Sequence, residues 1–85
     1  MIFFYLANCP YCIKVNQWLE ELYLEDSRFQ KIPIEKIEES LYPQKAEQYD
    51  YYYYVPCFYE GDKKIHEGII SKEELREILN NYLRR

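Results

Sequence analysis

The sequence predicts an α/β domain: a mixed four-stranded sheet with helices on both faces, in the order βαβαββα. An apolar run near the N-terminus has the length of a strand buried on both faces. Apolar residues then recur at helical spacing in two long segments, and a glycine-containing reversal between extended segments indicates a hairpin. The chain has 85 residues, which is enough for one small domain spanning residues 1–85.

Composition and charge exclude several classes of protein. Eleven Lys and Arg against 15 Asp and Glu give a net charge of −4, which argues against a nucleic-acid partner because phosphates require a basic face. No stretch approaches the roughly 20 apolar residues that cross a bilayer, and the N-terminus lacks the basic region of a signal peptide. We therefore expect a monomer in the cytoplasm, without a membrane partner.

The first predicted elements are a strand and a helix joined by a short loop. Residues 2–6 form the apolar run and should be a central strand. Pro10 suits the first position of a helix over residues 10–25, with Cys9 as its capping residue. The apolar face of this helix should join the core and contains Cys12, Val15, Trp18, Leu19, Leu22 and Tyr23.

The middle of the chain predicts weaker elements. Residues 31–38 alternate apolar and polar side chains around Pro33, and a proline within a strand indicates the edge of a sheet. The polar segment 38–50 suits a short helix. Residues 51–59 are rich in tyrosine, which favours a strand, although Pro56 interrupts it.

The last elements are a hairpin and a helix. Gly61 lies in a tight reversal that should fold residues 63–67 back beside the preceding strand, and Gly68 ends this segment. Ser71 and Glu74 have the spacing of a capping box at the start of the final helix. The first two strands, joined through a helix, should be parallel with a right-handed crossover, and the hairpin should be antiparallel.

The motif Cys9-Pro10-Tyr11-Cys12 carries the predicted chemistry. Two cysteines three residues apart at the start of a helix can approach to the distance that a disulfide requires. The helix start favours the thiolate form of Cys9. Lowering a thiol pKa from about 8.5 to about 6 takes roughly 3.4 kcal/mol, whereas a helix terminus supplies at most about 2 kcal/mol. We expect backbone amides near Tyr11 and Cys12, and the Cys12 thiol, to supply the rest through hydrogen bonds to the sulfur.

This arrangement predicts thiol–disulfide exchange with a distinct role for each cysteine. Cys9 would attack a substrate disulfide as the nucleophile, and Cys12 would resolve the mixed disulfide.

The cysteines also allow other interpretations. Because three cysteines are an odd count and two of them are close together, a disulfide-stabilised secreted scaffold is not expected. The alternative is a metal-binding module for zinc or an iron–sulfur cluster, although only one pair of cysteines has ligand spacing.

A second feature is Val55-Pro56, which should pass beside the cysteine loop. We expect a cis peptide bond there, with the Val55 main chain left to pair with an extended substrate segment. A trans proline at a β-bulge is the alternative. The following Cys57 should be a small buried residue, with a third redox thiol or a ligand as the other interpretations. His66 should contact solvent at a strand end.

The Cys-Pro-Tyr-Cys motif after the first strand, the Val-Pro pair and the element order together resemble glutaredoxins of the thioredoxin-fold superfamily. The resemblance implies that Cys9 is the nucleophile, that Cys12 resolves and that Pro56 is a cis proline. It also implies no bound cofactor and glutathione as electron donor, held partly by Tyr11 and by the Val55 main chain. Protein disulfides or glutathione mixed disulfides would be the substrates.

The sequence departs from the glutaredoxin pattern where that family binds glutathione. Leu6 replaces a lysine three residues before the first cysteine, and Tyr54 replaces the threonine before Val-Pro. A Gly-Gly turn followed by a small or acidic pair becomes Gly68-Ile69-Ile70-Ser71. Gly68 and Ser71 would keep part of that site, because Ser71 at a helix start can receive a carboxylate.

Overall fold

The computed structural model describes residues 1–49, 52 and 54–84. Its strands and helices follow the predicted order. They are β1 (Ile2–Tyr5), α1 (Pro10–Glu25), a 3-10 helix (Ser27–Lys31), β2 (Glu35–Glu38), α2 (Pro43–Glu47), β3 (Cys57–Glu60), β4 (Lys63–Glu67) and α3 (Lys72–Leu83).

The four strands form one mixed sheet in the order β2-β1-β3-β4. β1 is parallel to β2, with Tyr5 opposite Glu38. β1 is antiparallel to β3, with Phe4 opposite Cys57, and the β3–β4 hairpin is also antiparallel. The predicted α/β class, the parallel first pair and the hairpin are confirmed.

Helices cover both faces of this sheet because successive strand residues point to opposite sides. Phe3 belongs to the larger apolar cluster, which includes Leu19 of α1 and Leu75 of α3. Phe4 belongs to a smaller cluster on the other side, against which Ala46 of α2 packs. The CPYC-bearing helix α1 is therefore fixed to the sheet by its buried residues Cys12, Val15, Leu19 and Leu22.

Local signals set the helix ends. Pro10 begins α1, after Cys9 as its capping residue. The predicted capping box begins α3: the Glu74 amide donates to the Ser71 hydroxyl oxygen at 3.1 Å, and the Ser71 amide donates to the Glu74 carboxylate at 3.0 Å. Among the described residues, no helix has the length and apolarity needed to cross a bilayer.

Three predicted segments are shorter than expected. The edge strand begins at Glu35 rather than at residue 31, because its partner β1 begins at Ile2, opposite Glu35. The helix predicted over 38–50, of which Asp50 lies outside the described residues, runs from Pro43 to Glu47. It starts late because Glu38 remains in β2 and its carboxylate accepts hydrogen bonds from the amide and hydroxyl of Ser40 at 2.8 and 2.6 Å. Those bonds hold the chain in a turn before the helix.

The tyrosine-rich strand predicted over 51–59 begins only at Cys57. Pro56 has no amide hydrogen to give to a ladder, so the chain cannot pair as a central strand at that point. The Tyr52 ring instead packs on Phe4, with the ring centroids 5.0 Å apart, and Tyr54 is exposed. Tyr51 and Tyr53, part of the same prediction, lie outside the described residues.

Candidate active site

One edge of the sheet gathers the residues that the sequence singled out. Cys9 follows the carboxyl end of β1, and Val55-Pro56 precedes β3, which runs antiparallel to β1. Gly68 follows β4, and its amide donates to the Pro56 carbonyl at 2.8 Å. The ends of β1 and β4 and the start of β3 therefore meet at this edge.

Cys9 holds the capping position of α1 in an extended conformation. Its amide donates to the Leu6 carbonyl at 3.1 Å, and its own carbonyl accepts from the Ile13 amide at 3.0 Å. The expected hydrogen bonds from the amides of Tyr11 and Cys12 to the Cys9 sulfur are not formed, since the side chain makes no capping hydrogen bond. Sulfur is a weak acceptor, and cysteine lies outside the residues that cap helices well.

Cys12 lies one helical turn further on and is buried, with 1% of its surface exposed. Burial is the main cause that raises the pKa of its thiol to about 12; the Leu6 backbone lowers this pKa, and the neighbouring Cys9 and the Glu39 charge raise it. Cys12 is thus uncharged near pH 7, whereas Cys9 is partly exposed, and all three cysteines are free thiols.

Glu39 is a feature of the site that the sequence interpretation missed. It follows β2, and its amide donates to the Tyr5 carbonyl at 3.0 Å, so it lies beside the end of β1. The Tyr52 hydroxyl donates to its carboxylate at 2.5 Å, and this hydrogen bond adds to burial in raising the pKa of Tyr52. The Glu39 charge also raises the pKa of Cys12 and Cys57. Its position was available from the parallel pairing, because the carboxyl ends of parallel strands share an edge.

The peptide bond between Val55 and Pro56 is cis, as expected. Pro56 is fully buried, while the neighbouring Tyr54 is 69% exposed. The Tyr54 amide donates to the Glu67 carboxylate at 3.0 Å. The Val55 main chain makes no backbone hydrogen bond to another described residue. Within the described part of the chain, its amide and carbonyl therefore have no backbone partner.

Two further predicted site residues, Gly68 and Ser71, come after β4. Gly68 has a φ of 88°, a conformation that favours glycine. Ser71 contributes both its amide and its hydroxyl oxygen to the capping box of α3, which leaves the hydroxyl hydrogen to donate. His66 lies near the same turn, with Nε2 at 2.9 Å from the Ile69 carbonyl.

The other two residues considered at this edge differ in exposure. Tyr11, within the CPYC motif, is 52% exposed and accessible to a substrate. Cys57 is fully buried in the cluster of Phe4, Ile37 and Tyr59, and burial raises its pKa to about 12. Cys57 thus matches the expectation of a small buried residue, pointing to the same side as Val55, which packs against that cluster.

Among residues 1–49, 52 and 54–84, no group of three or more His, Cys, Asp and Glu side chains is arranged to hold a metal ion. Comparisons of the chain with protein-family models, with curated proteins and with solved structures find no match.

Proposed function

We propose that this protein is a glutaredoxin-like thiol–disulfide oxidoreductase with a thioredoxin-like fold. One observation carries the proposal: Cys9, partly exposed at the start of α1, lies one helical turn before Cys12, which is buried and whose thiol burial keeps protonated near pH 7. In such a pair the more exposed thiol attacks the substrate disulfide, and the buried thiol then resolves the mixed disulfide. The Val55-Pro56 segment and the open Val55 main chain at the same edge support a place for the substrate.

The reaction follows from these positions. The Cys9 thiolate attacks one sulfur of a substrate disulfide, forming a mixed disulfide and releasing the first substrate thiolate, which takes up a proton. Cys12 then loses its proton and attacks the Cys9 sulfur, so that the second substrate thiol leaves. The substrate disulfide is reduced by two electrons to two thiols, while Cys9 and Cys12 are oxidised to a disulfide.

Turnover requires a second thiol compound that reduces the Cys9–Cys12 disulfide. Glutathione or a dithiol protein of a reductase system would supply these electrons by the same exchange in reverse, and would itself become a disulfide. Such donors are maintained in the cytoplasm, where thiols are kept reduced. The protein needs no bound cofactor for this reaction, because the electrons pass only between sulfur atoms.

The proposal is tested by turnover of a small neutral disulfide, such as hydroxyethyl disulfide, with dithiothreitol as reductant. We expect Cys9→Ser to abolish the protein-dependent rate and Cys57→Ala to keep most of it, since Cys57 is buried away from substrate. A Cys9→Ser variant as active as the wild type would refute the proposal. Stoichiometric zinc or iron in oxygen-free preparations would favour a metal-binding module instead.

The role of Cys12 is tested with a glutathione mixed disulfide and excess glutathione. If Cys12→Ser still removes glutathione, a second glutathione molecule can replace Cys12 in resolving the intermediate. If Cys12→Ser stops after one turnover with substrate bound to Cys9, the protein acts through its own dithiol. Either result is consistent with Cys9 as the nucleophile. The two results distinguish glutathione from a dithiol protein as the electron donor.

A further inference from the structure

The loops around Cys9 carry exposed apolar side chains from three different segments. Leu6, Tyr54 and Ile69, which we call the apolar rim, are 38%, 69% and 68% exposed. Leu6 is joined to Cys9 by the amide-to-carbonyl hydrogen bond of 3.1 Å. A Cβ added to Gly68, the neighbour of Ile69, would lie 3.8 Å from the Tyr54 Cβ. The rim therefore lines the edge of the sheet at which the half-buried Cys9 lies.

The same loops have an unusual charge composition. Residues 6–9, 39–42, 54–56 and 68–71 include no lysine, arginine or histidine, and Glu39 is their one charged residue. The nearby Glu67 carboxylate accepts from the Tyr54 amide at 3.0 Å and from the Lys64 ammonium at 2.6 Å. The Lys64 charge is thus paired with a carboxylate.

These properties disfavour glutathione and favour a polypeptide. Glutathione has two carboxylates, and a site without a cation that contains Glu39 repels them. Three apolar side chains exposed together would bury apolar surface against a partner. The open Val55 main chain would pair with a segment in extended conformation, as in strand addition.

Building on the proposed function, we propose that the preferred substrate is a cysteine disulfide within an extended protein segment that has apolar residues beside the cysteine and no acidic ones. Leu6, Tyr54 and Ile69 contact the flanking side chains and determine this specificity. Cys9 and Cys12 carry out the exchange already described, and the segment leaves with its cysteine reduced to the thiol. Glutathione mixed disulfides are slow substrates because the two glutathione carboxylates meet no cation in these loops.

The test compares short peptides with a single cysteine, each joined to a neutral thiol through a mixed disulfide and reduced with dithiothreitol as donor. One peptide has leucine and valine beside the cysteine, one has glutamate at those positions, and a glutathione mixed disulfide is the third substrate. We expect kcat/KM for the apolar peptide to exceed the other two values by about tenfold or more, which corresponds to about 1.4 kcal/mol.

Leu6→Lys should lower kcat/KM for the apolar peptide and raise it for the glutathione mixed disulfide, each several-fold. Leu24→Lys is the matched control, because Leu24 is 88% exposed near the far end of α1, and it should change neither value. Ile69→Lys provides a second rim variant at a more exposed position, with circular dichroism confirming that each variant is folded.

The outcomes separate this inference from the proposed function. The role of the rim would be overturned by equal kcat/KM values for all three substrates. It would also be overturned if kcat/KM changed equally in Leu6→Lys, Ile69→Lys and Leu24→Lys. In both cases turnover of hydroxyethyl disulfide by Cys9 would remain, so the proposed function would stand. If no disulfide is reduced, hydroxyethyl disulfide included, the proposed function fails and the inference falls with it.

Discussion

The amide of Gly68 donates to the carbonyl of Pro56 at 2.8 Å, joining the end of β4 to the segment that enters β3. This hydrogen bond fixes the loop that faces Cys9 to the rigid hairpin. Gly68 makes it with a φ of 88°, a backbone conformation that side chains with a Cβ adopt at a cost. The position of the substrate loop thus depends on a glycine that lies outside the CPYC motif.

Replacement of this glycine should affect both stability and turnover. We expect Gly68→Ala to lower the free energy of unfolding by about 1 to 2 kcal/mol, because alanine disfavours positive φ, and to lower disulfide turnover. Gly61→Ala is the matched control, since Gly61 has a φ of 60° in the hairpin turn, far from the cysteines. Chemical denaturation and turnover measure the two effects. Equal turnover by the two variants would contradict the role given to Gly68.

Two buried thiols should make the protein less stable in alkali. Burial raises the pKa of Cys12 and of Cys57 from 9.0 to about 12. Between these values the folded protein keeps protons that the unfolded chain loses, so the free energy of unfolding should fall as pH rises above 9. Each thiol lowers the free energy of unfolding by up to about 1.4 kcal/mol per pH unit in this range. Well below pH 9 both thiols are protonated in both states, so neither makes the free energy of unfolding depend on pH.

Urea unfolding between pH 8 and pH 11, with a reductant present, measures this dependence. Cys57→Ala should be less stable than the wild type at pH 8 because it removes buried volume, yet it should lose stability more slowly above pH 9. An identical slope for the variant and the wild type would show that Cys57 does not titrate as described.

The Glu39 carboxylate should oppose ionisation of the two buried thiols. We expect Glu39→Gln to lower the pKa of Cys12 and of Cys57, because the substitution removes a negative charge that raises both and keeps an oxygen for the Tyr52 hydroxyl. The rate of alkylation of Cys12 and Cys57 by iodoacetamide, followed against pH by mass mapping in a Cys9→Ser background, measures the change. Glu35→Gln is the control, since Glu35 pairs with Lys45 at 3.3 Å. Matching titration curves for both variants would contradict this arrangement.

The Ser71 hydroxyl should act chiefly in the capping box of α3. Ser71→Ala is expected to lower the free energy of unfolding by about 1 kcal/mol, because the Glu74 amide loses its acceptor. Ser71→Asp should keep most of the stability, since aspartate is also a good capping residue. Thermal and urea denaturation of the three proteins provide the measurement, and an alanine variant as stable as the wild type would be the contrary result.

Features set by neighbouring residues were predictable from the sequence. Pro10 and Cys9 marked the start of α1, Ser71 and Glu74 marked that of α3, and Gly61 marked the hairpin. In each case the backbone conformation follows from a residue at the position or within one turn of it. Even the placement of Val55-Pro56 at the end of β1 that leads to Cys9 followed from strand order.

Features set by pairing across the sheet were harder to predict. The tyrosine run suggested a strand over 51–59, but the ladder with β1 and β4 begins only at Cys57. The 3-10 helix was missed because its one buried side chain, Phe29, gives no periodic pattern. The environment of Glu39 depends on both the register of β2 and the hydrogen bond from Tyr52, which no local pattern reveals.

In the proposed mechanism Cys9 is the attacking sulfur, whereas Cys12 and Cys57 are protected by burial. The most direct measurement is alkylation of the fully reduced protein at neutral pH with less than one equivalent of iodoacetamide, followed by mass mapping of each cysteine-containing peptide. We expect Cys9 to be modified at least tenfold faster than the two buried thiols. Equal modification of the three cysteines, or faster modification of Cys12 or Cys57, would contradict the proposed mechanism.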